Sequence, residues 1–311
     1  MNKIVITGAL GHIGSKLIRH IPTKIDAEIV MIDNMSAERY CSLFDLPKAV
    51  KYKFYEKNIL DANLEEIFEG SDVVIHLAAI TNAAGSFDKQ SEVEEVNFIG
   101  TKKVVDACMK TDSKLIFLST TSVYGTQEEI VDENCSKDEL QPQSPYARAK
   151  LQSEEFLQGL KDKVDFIILR FGTIYGYSIG MRFHTAVNKF CFQAVMNRPI
   201  TVWETAYNQK RPYLDLEDAV NSLVYIIENN IFDGEVYNVL TQNFTVKDIV
   251  DTIKENIDDV EIEFVKTKIM NQLSYDVSNE KFKRKGFEYR GDVHNAIAQT
   301  ISVLRNSNGV N

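Results

Sequence analysis

The composition of this 311-residue chain is typical of a soluble globular protein, with 44% hydrophobic and 26% charged residues. Its formal net charge of −10 argues against non-specific nucleic-acid binding, which needs basic patches. An anionic small molecule is not excluded, because backbone N–H groups and one or two arginines can bind phosphate locally. The length allows one or two domains.

The cysteines and histidines indicate a cytoplasmic protein without a metal site. Cys41, Cys108, Cys135 and Cys191 are widely spaced and form no C-x-x-C pair, which favours reduced thiols over a disulfide or zinc site. The five histidines lack ligand spacing. The N-terminal "MNKIVITG" is too short an apolar run for a signal peptide, and "DVVIHLAAI" is too short to span a membrane. We therefore expect neither membrane nor nucleic-acid contact.

The first half of the chain alternates short β-branched runs with helical patterns. Strands are predicted at 3–8, 28–33, 51–56, 72–78, 114–119 and 165–170. Several of these runs are apolar throughout, as expected for strands covered on both faces. The alternation predicts an α/β fold with a doubly wound parallel sheet of the Rossmann type.

After Arg170 the pattern changes, and a smaller C-terminal α/β lobe is predicted. The turn "FGTIYGYSIG" leads into further helices and into strands at "ITVW" and "EVYNVL". We expect residues 1–172, with about 215–240, to form the nucleotide-binding domain. Residues 173–214 and 241–311 would form the substrate-binding lobe, with ligands in the cleft between the two.

The strongest local signal is "VITGALGHIG", which places Gly8, Gly11 and Gly14 directly after the first strand. Such glycines permit a tight turn, close approach of a pyrophosphate and close helix–strand packing. A second strand ends at Asp33, where a carboxylate suits a ribose diol. Because Asp33 would repel a 2′-phosphate and no arginine follows it directly, NAD is favoured over NADP.

Two polar segments indicate a catalytic site. "STTSVYG" at 119–125 ends a strand, so its hydroxyls would face the ligand crevice, although a turn that uses them for local bonds is the alternative. In "SPYARAK", Tyr146 and Lys150 lie four residues apart, which places them on one helix face. That pair could be an ordinary surface pair or a general base beside a cation. Its position about twenty residues after the first segment favours catalysis.

Together these segments resemble the extended short-chain dehydrogenase/reductase family, in its NAD-dependent nucleotide-sugar epimerase/dehydratase branch, with members such as UDP-glucose 4-epimerase. The resemblance rests on "TGALGHIG", "HLAA", "NFIGT", "STTSVYG", "YARAK", "LRFGTIYG" and "KRPYLDLEDA", in this order over nearly the whole chain. It implies that Tyr146 is the general base, that Lys150 lowers the pKa of Tyr146 and bonds the nicotinamide ribose, and that Thr120 assists.

The resemblance also implies two sets of binding residues. The cofactor would contact Gly8, Gly11, His12, Ile13, Gly14, Asp33, Asn34, Asn58, Ile59, Leu77, Ala78, Ala79, Asn97, Tyr146 and Lys150. A nucleotide-diphosphate sugar would contact Thr121, Ser122, Thr173, Asn188 and Arg211. His76 is expected to be a buried structural histidine, Arg182 to order the loop at the mouth of the site, and Trp203 to lie outside the site.

Differences from the family's residue pattern argue against some of the reactions that its members catalyse. Dehydratases of the family carry an Asp–Glu pair where this chain has Thr121 and Ser122, and the decarboxylating and 3,5-epimerising branches use residues that are absent at this turn. A 4-epimerase acting through a 4-keto sugar is favoured. A nucleotide-4-keto-sugar reductase or dehydrogenase is the alternative, and a protein that binds NAD without turnover is a third possibility. Thr173 stands where the family usually has an asparagine, so the sequence does not predict which nucleotide the substrate carries.

The resemblance further implies a homodimer. The helices in "NFIGTKKVVDACMK" and "YARAKLQSEEFLQGL" would pair across a two-fold axis. Their apolar positions, which include Val104, Ala107, Cys108, Leu151 and Phe156, could equally pack inward on the sheet.

Overall fold

The computed structural model describes residues 1–125, 130–266 and 274–308. Its strands are β1 (Lys3–Thr7), β2 (Glu28–Asp33), β3 (Tyr52–Glu56), β4 (Val73–His76), β5 (Lys114–Thr120), β6 (Ile130–Val131), β7 (Phe166–Phe171), β8 (Thr173–Tyr175), β9 (Ile200–Trp203), β10 (Lys210–Asp215), β11 (Val236–Val239), β12 (Gln242–Thr245), β13 (Ile262–Val265) and β14 (Asp276–Val277). Its helices are α1 (His12–His20), α2 (Leu64–Phe68), α3 (Gln90–Glu94), α4 (Gly100–Thr111), α5 (Pro145–Gln158), α6 (Ala186–Val195), α7 (Leu216–Glu228), α8 (Val246–Lys254), α9 (Glu280–Lys283) and α10 (Val293–Asn308). No helix in these ranges is long and apolar enough to cross a bilayer.

A seven-stranded parallel sheet forms the centre, in the order β11-β7-β5-β4-β1-β2-β3. The strand order reverses between β1 and β4, so their carboxyl ends diverge into a crevice of the kind in which α/β proteins bind ligands. The predicted fold class is confirmed. The six strands predicted in the first half are present to within two residues at either end.

The sheet is covered on both faces, which explains why its central strands are apolar throughout. Helices α1 and α7 pack together on one face, where Leu17 and Leu223 are fully buried in one core. Helices α2, α4 and α5 contribute to the core of the other face. Val104, Ala107 and Cys108 belong to this second core, so these positions pack inward on the sheet.

Three small sheets lie beyond the main one. Strands β12-β10-β8, β13-β9 and β14-β6 form them, and helices α6, α8 and α10 share a separate apolar core with part of these strands. The proposed boundaries of the two lobes stay a prediction. Within the range assigned to the smaller lobe, Phe282 of α9 and Phe287 pack into the core of the main sheet, because α9 lies against β11.

Candidate functional site

A cavity of about 800 Å³ opens at the carboxyl ends of the main-sheet strands and extends to the smaller sheets. The loop after β1 and the ends of β2, β4 and β5 form one side of it, and residues of α5 lie beside Thr120. Residues from β8, α6, β9 and β10 form the opposite side. The site therefore combines residues distant in the chain.

The glycine loop has the shape that a pyrophosphate needs. Gly8 adopts a φ of +68°, and a Cβ there would lie 2.6 Å from the backbone nitrogen of Ala78, so only glycine fits between β1 and β4. A Cβ on Gly14 would lie 2.5 Å from the carbonyl oxygen of Ala9. A Cβ on Gly11 would lie 3.3 Å from the carbonyl oxygen of Gly8, which is tight but less crowded than the Cβ positions of Gly8 and Gly14, and its next neighbour is Arg39 Nη1 at 3.9 Å. These residues fit a bound dinucleotide.

His12 and Ile13, which were also predicted to contact the cofactor, line the cavity at this turn. The imidazole Nε2 of His12 lies 2.8 Å from the carbonyl oxygen of Gly176, and burial lowers the pKa of His12 to about 3. The ring is therefore neutral at pH 7. It links the first turn of α1 to the loop after β8 and adds no charge to the phosphate site.

Asp33 lies at the end of β2, on the wall of the cavity. Its two carboxylate oxygens accept hydrogen bonds from the backbone nitrogens of Leu10 and Met35, at 3.1 and 3.0 Å. Each oxygen keeps a further lone pair for a ribose hydroxyl. Asn34, Asn58 and Ile59 line the same end of the cavity, as predicted for the adenosine side.

The wall after β4 is built by Leu77, Ala78 and Ala79, all of which line the cavity. Asn97 does not line it. Both polar groups of its amide bond the backbone of Ile80, at 2.8 and 2.9 Å, and the side chain is fully buried. Asn97 thus braces this wall from behind, and its direct contact with the cofactor stays a prediction. His76 is buried between the hydroxyls of Thr7 and Thr101, in the structural role expected for it.

Thr120, Tyr146 and Lys150 converge on the cavity, although β5 and α5 supply them from separate parts of the chain. Ser144 caps α5 by accepting a hydrogen bond from the backbone of Ala147, and Pro145 occupies the first helical turn. This start fixes Tyr146 in the first turn, near the hydroxyl of Thr120, which acts to lower the pKa of Tyr146. Lys150 follows one turn later and donates to the carbonyl oxygen of Leu118 at 2.7 Å.

The pKa of Tyr146 departs from the sequence-based expectation. Burial raises it above the ordinary value of a phenol, and the guanidinium of Arg182 and the hydroxyl of Thr120 act in the lowering direction. Lys150 was expected to lower it. Burial instead brings the pKa of Lys150 itself down to about 7. In the protein alone, the cation that favours the phenolate of Tyr146 is therefore Arg182.

Four of the five predicted substrate residues line the cavity, namely Thr121, Ser122, Thr173 and Arg211. Asn188 does not. Its amide accepts from the backbone nitrogen of Gly176 and donates to the carbonyl oxygen of Arg182, both at 3.2 Å, and its side chain is fully buried. The predicted substrate contact of Asn188 is corrected to a tie within the loop that carries Arg182.

Trp203 was expected to lie outside the site but lines the cavity wall, and the sequence did not mark the wall residues Arg39, His184 and Lys189. Arg182, which was expected to order the loop at the mouth of the site, also lines the wall. Arg182 donates from Nη1 to the hydroxyl of Thr81. Its buried Nε has no hydrogen-bond partner within the described ranges, which leaves this group available to a ligand. Burial lowers the pKa of Arg39, and the charge of Asp33 opposes that fall. No local pattern marks these residues, because each reaches the cavity from a loop or from an element of the smaller sheets.

Comparisons with known proteins place this geometry in a family. The model of the NAD dependent epimerase/dehydratase family matches residues 4–239. A dTDP-D-glucose 4,6-dehydratase of Dictyostelium discoideum is 33% identical over 78% of the chain, and the match spans 58% of that protein's length. A Bacillus subtilis protein described as an uncharacterized UDP-glucose epimerase is 29% identical over 76% of each sequence.

Solved structures share the fold over nearly the whole chain. The UDP-glucuronic acid 4-epimerase of Bacillus cereus, in complex with UDP-glucuronic acid and NAD, has a TM-score of 0.88 at 24% identity and covers 98% of this chain and 99% of its own. The UDP-N-acetylglucosamine 4-epimerase of Methanobrevibacter ruminantium has a TM-score of 0.85 at 21% identity, with coverage of 98% and 99%.

The matched segment contains the glycine loop, Asp33 and the group of Thr120, Tyr146 and Lys150, all of which line one cavity. It covers more than half of the chain, and the fold agrees with the solved structures. The predicted family and the predicted cofactor, NAD, are thereby confirmed. The chain belongs to the NAD dependent epimerase/dehydratase family of enzymes.

Proposed function

We propose that this chain is a nucleotide-sugar epimerase that inverts a sugar carbon, most simply C4, through a 4-keto intermediate. One observation carries the proposal. Thr120, Tyr146 and Lys150 meet at the cavity wall, and the turn that follows Thr120 presents the hydroxyls of Thr121 and Ser122 there and no carboxylate. The site thus holds one base for a sugar hydroxyl and lacks, at this turn, the acid–base pair that dehydration requires.

The residues act on the proton of the sugar hydroxyl. Tyr146 Oη accepts this proton, and the hydroxyl of Thr120 bonds the same oxygen as negative charge develops on it. NAD, which the glycine loop and Asp33 would hold, would supply a hydride acceptor for the hydrogen of the sugar carbon and the donor that returns it to the opposite face once the keto sugar has turned over. Tyr146 then gives the proton back, so the sugar is isomerised with no net oxidation.

The residues at the substrate end of the cavity favour a nucleotide-diphosphate sugar as the substrate. Arg211 and Lys189 both line the far end of the cavity. A guanidinium and an ammonium suit phosphate oxygens. The UDP-glucuronic acid 4-epimerase and the UDP-N-acetylglucosamine 4-epimerase that share this fold act on nucleotide sugars, which supports this assignment. The dehydratase among the relatives makes 4,6-dehydration the competing reaction.

The test is turnover of a panel of UDP-, GDP-, CDP- and dTDP-hexoses by purified protein without added cofactor. We expect an isomeric sugar with no net change in NADH absorbance. Tyr146→Phe should reduce the rate by about 10²–10⁴-fold, the usual contribution of a general base. Tyr225→Phe, on the far side of the main sheet, is the matched control and should be unaffected.

Two outcomes would contradict the proposal. A 4-keto-6-deoxy product would make the protein a dehydratase. Turnover of a 4-keto sugar with stoichiometric consumption of added NADH, and no isomer, would make it a reductase.

A further inference from the structure

A buried ion pair adjoins Lys150 outside the cavity lining. Glu154 follows Lys150 by four residues on α5, so the two side chains share a helix face. The carboxylate of Glu154 accepts from Arg170 Nε at 3.1 Å on both oxygens and from Arg170 Nη2 at 2.7 Å. The hydroxyl of Ser119 also donates to Glu154. Glu154 and Arg170 are only 3% and 4% exposed.

Arg170 is itself held in place. Its Nη1 donates to Tyr124 Oη at 2.9 Å, and Tyr124 donates to Asn238 Oδ1 at 2.8 Å. Without such a cation, a carboxylate at this depth would take up a proton and lose its charge. The ion pair with Arg170 therefore compensates the burial of the Glu154 carboxylate.

Lys150 needs a nearby anion because its surroundings are apolar. Its ammonium lies 4.7 Å from the ring centre of Phe117, and the side chain is 3% exposed. Burial lowers the pKa of Lys150 to about 7, and the charge of Glu154 opposes that fall. Of the other groups that face Lys150, His76 on β4 is neutral because its pKa is about 3, and Tyr146 on α5 is a phenol whose pKa burial raises.

We propose that Glu154 is a positioning residue whose fixed negative charge keeps Lys150 protonated, with Arg170 and Ser119 holding that charge in place. Neither the family resemblance nor the cavity lining assigns Glu154 a role. The inference rests on the proposed function, since a charged Lys150 matters only if Lys150 assists Tyr146. A neutral Lys150 would no longer place a positive charge at the cavity wall, one helical turn from Tyr146.

The direction of the expected change in the pKa of Lys150 follows from the removal of the negative charge of Glu154. Glu154→Gln keeps the shape of the side chain and its bond with Ser119 but removes the anion, so the pKa of Lys150 falls. The alkaline limb of kcat/KM should move to lower pH by about one unit, with roughly tenfold lower activity on that side. A merely structural role would lower activity at every pH and leave the limb in place.

A second variant guards against misfolding, because Glu154→Gln leaves Arg170 without its counter-ion. Glu154→Gln combined with Arg170→Gln removes both charges and retains amide hydrogen bonds. The alkaline limb should again move to lower pH, but by less than in Glu154→Gln, because loss of the Arg170 cation raises the pKa of Lys150. Glu235→Gln, which breaks an exposed ion pair with Lys161, is the matched control and should leave the profile unchanged.

A readout without substrate separates this inference from the proposed function. Acetic anhydride modifies only the neutral amine, so the pH dependence of Lys150 acetylation, followed by mass spectrometry, reports its pKa directly. We expect the midpoint to fall in both Glu154 variants. Unchanged midpoints in folded variants would overturn the inference, whether or not any sugar is turned over. Shifted midpoints in a protein that turns over no sugar would overturn the proposed function alone.

Discussion

At the scale of single residues, Arg182 changes how the base of the site is understood. The sequence places Lys150 one helical turn from Tyr146, which suggests that Lys150 sets the pKa of Tyr146. In the folded protein, Arg182 reaches the cavity from the loop before α6 and lowers that pKa, whereas Lys150 bonds the carbonyl oxygen of Leu118. Spacing on a helix shows which side chains are neighbours, but the direction of a lysine head group depends on its contacts.

We expect Arg182→Met to raise the pKa of Tyr146. The base must be deprotonated to act, so the acid limb of kcat/KM should move to higher pH, by on the order of one unit. Arg182→Lys should keep most of the effect. Arg198→Met, which changes an exposed arginine just past α6, is the control and should leave the limb in place. An acid limb of kcat/KM at the same pH in Arg182→Met and in the unmodified protein would refute this role for Arg182.

At the scale of elements, the glycine loop separates a folding requirement from a binding requirement. A methyl group on Gly14 would lie 2.5 Å from the carbonyl oxygen of Ala9 and push α1 away from the loop, whereas one on Gly11 would meet its nearest atom, the carbonyl oxygen of Gly8, at 3.3 Å. The spacing of the glycines predicts the loop but does not distinguish these two roles. Only the packing of α1 shows which glycine faces the ligand.

We therefore expect Gly11→Ala and Gly14→Ala to differ. Gly14→Ala should lower the free energy of unfolding by about 1–3 kcal/mol, the usual cost of overpacking. Gly11→Ala should lower the melting temperature less than Gly14→Ala does and weaken NAD binding by about 1.4 kcal/mol, or tenfold. Thermal unfolding and calorimetric titration with NAD measure the two effects. Equal losses of stability in both variants would contradict this division.

The segment between α3 and α4 shows what a helical pattern leaves undetermined. The sequence predicts one continuous helix over "EVEEVNFIGTKKVVDACMK", whereas the structure has a π-type turn at Glu95–Ile99. This turn carries Asn97, whose amide bonds both polar groups of the Ile80 backbone. Side-chain periodicity does not reveal a single widened turn, since the helix continues on both sides.

At the scale of the whole molecule, buried neutral histidine makes stability depend on pH. His76 lies at the centre of the main sheet, fully buried, and its pKa in the folded protein is about 3 against an ordinary 6.5. As the pH falls below 6.5, the unfolded chain gains a proton that the folded protein does not bind. The free energy of unfolding should therefore decrease with acidification, by roughly 1.4 kcal/mol per pH unit for this residue.

Urea unfolding at a series of pH values tests this expectation. His76→Gln, which keeps hydrogen-bonding groups between Thr7 and Thr101, should flatten the decrease below pH 6.5. His294→Gln, which changes an exposed histidine, is the matched control and should leave it unaltered. The same slope in both variants would show that His76 does not contribute.

The assembly and the cellular location stay predictions. Of the apolar positions considered for a homodimer, Val104, Ala107 and Cys108 are buried within a single chain, so a dimer would have to use other residues of these helices. Phe156 is only partly buried, and its ring packs edge-on against Phe98. A cytoplasmic location follows from the cysteine pattern alone.

The sequence by itself determined the parallel sheet, the glycine loop, Asp33 and the pairing of Tyr146 with Lys150, because each depends on local spacing along one element. The tertiary structure decided where Arg182, Asn97 and Asn188 lie. It also decided that β8, a strand of three residues, exists, since that strand is defined only by its pairing with β10. Burial and the charge near a group depend on residues far away in the chain, and local patterns do not record them.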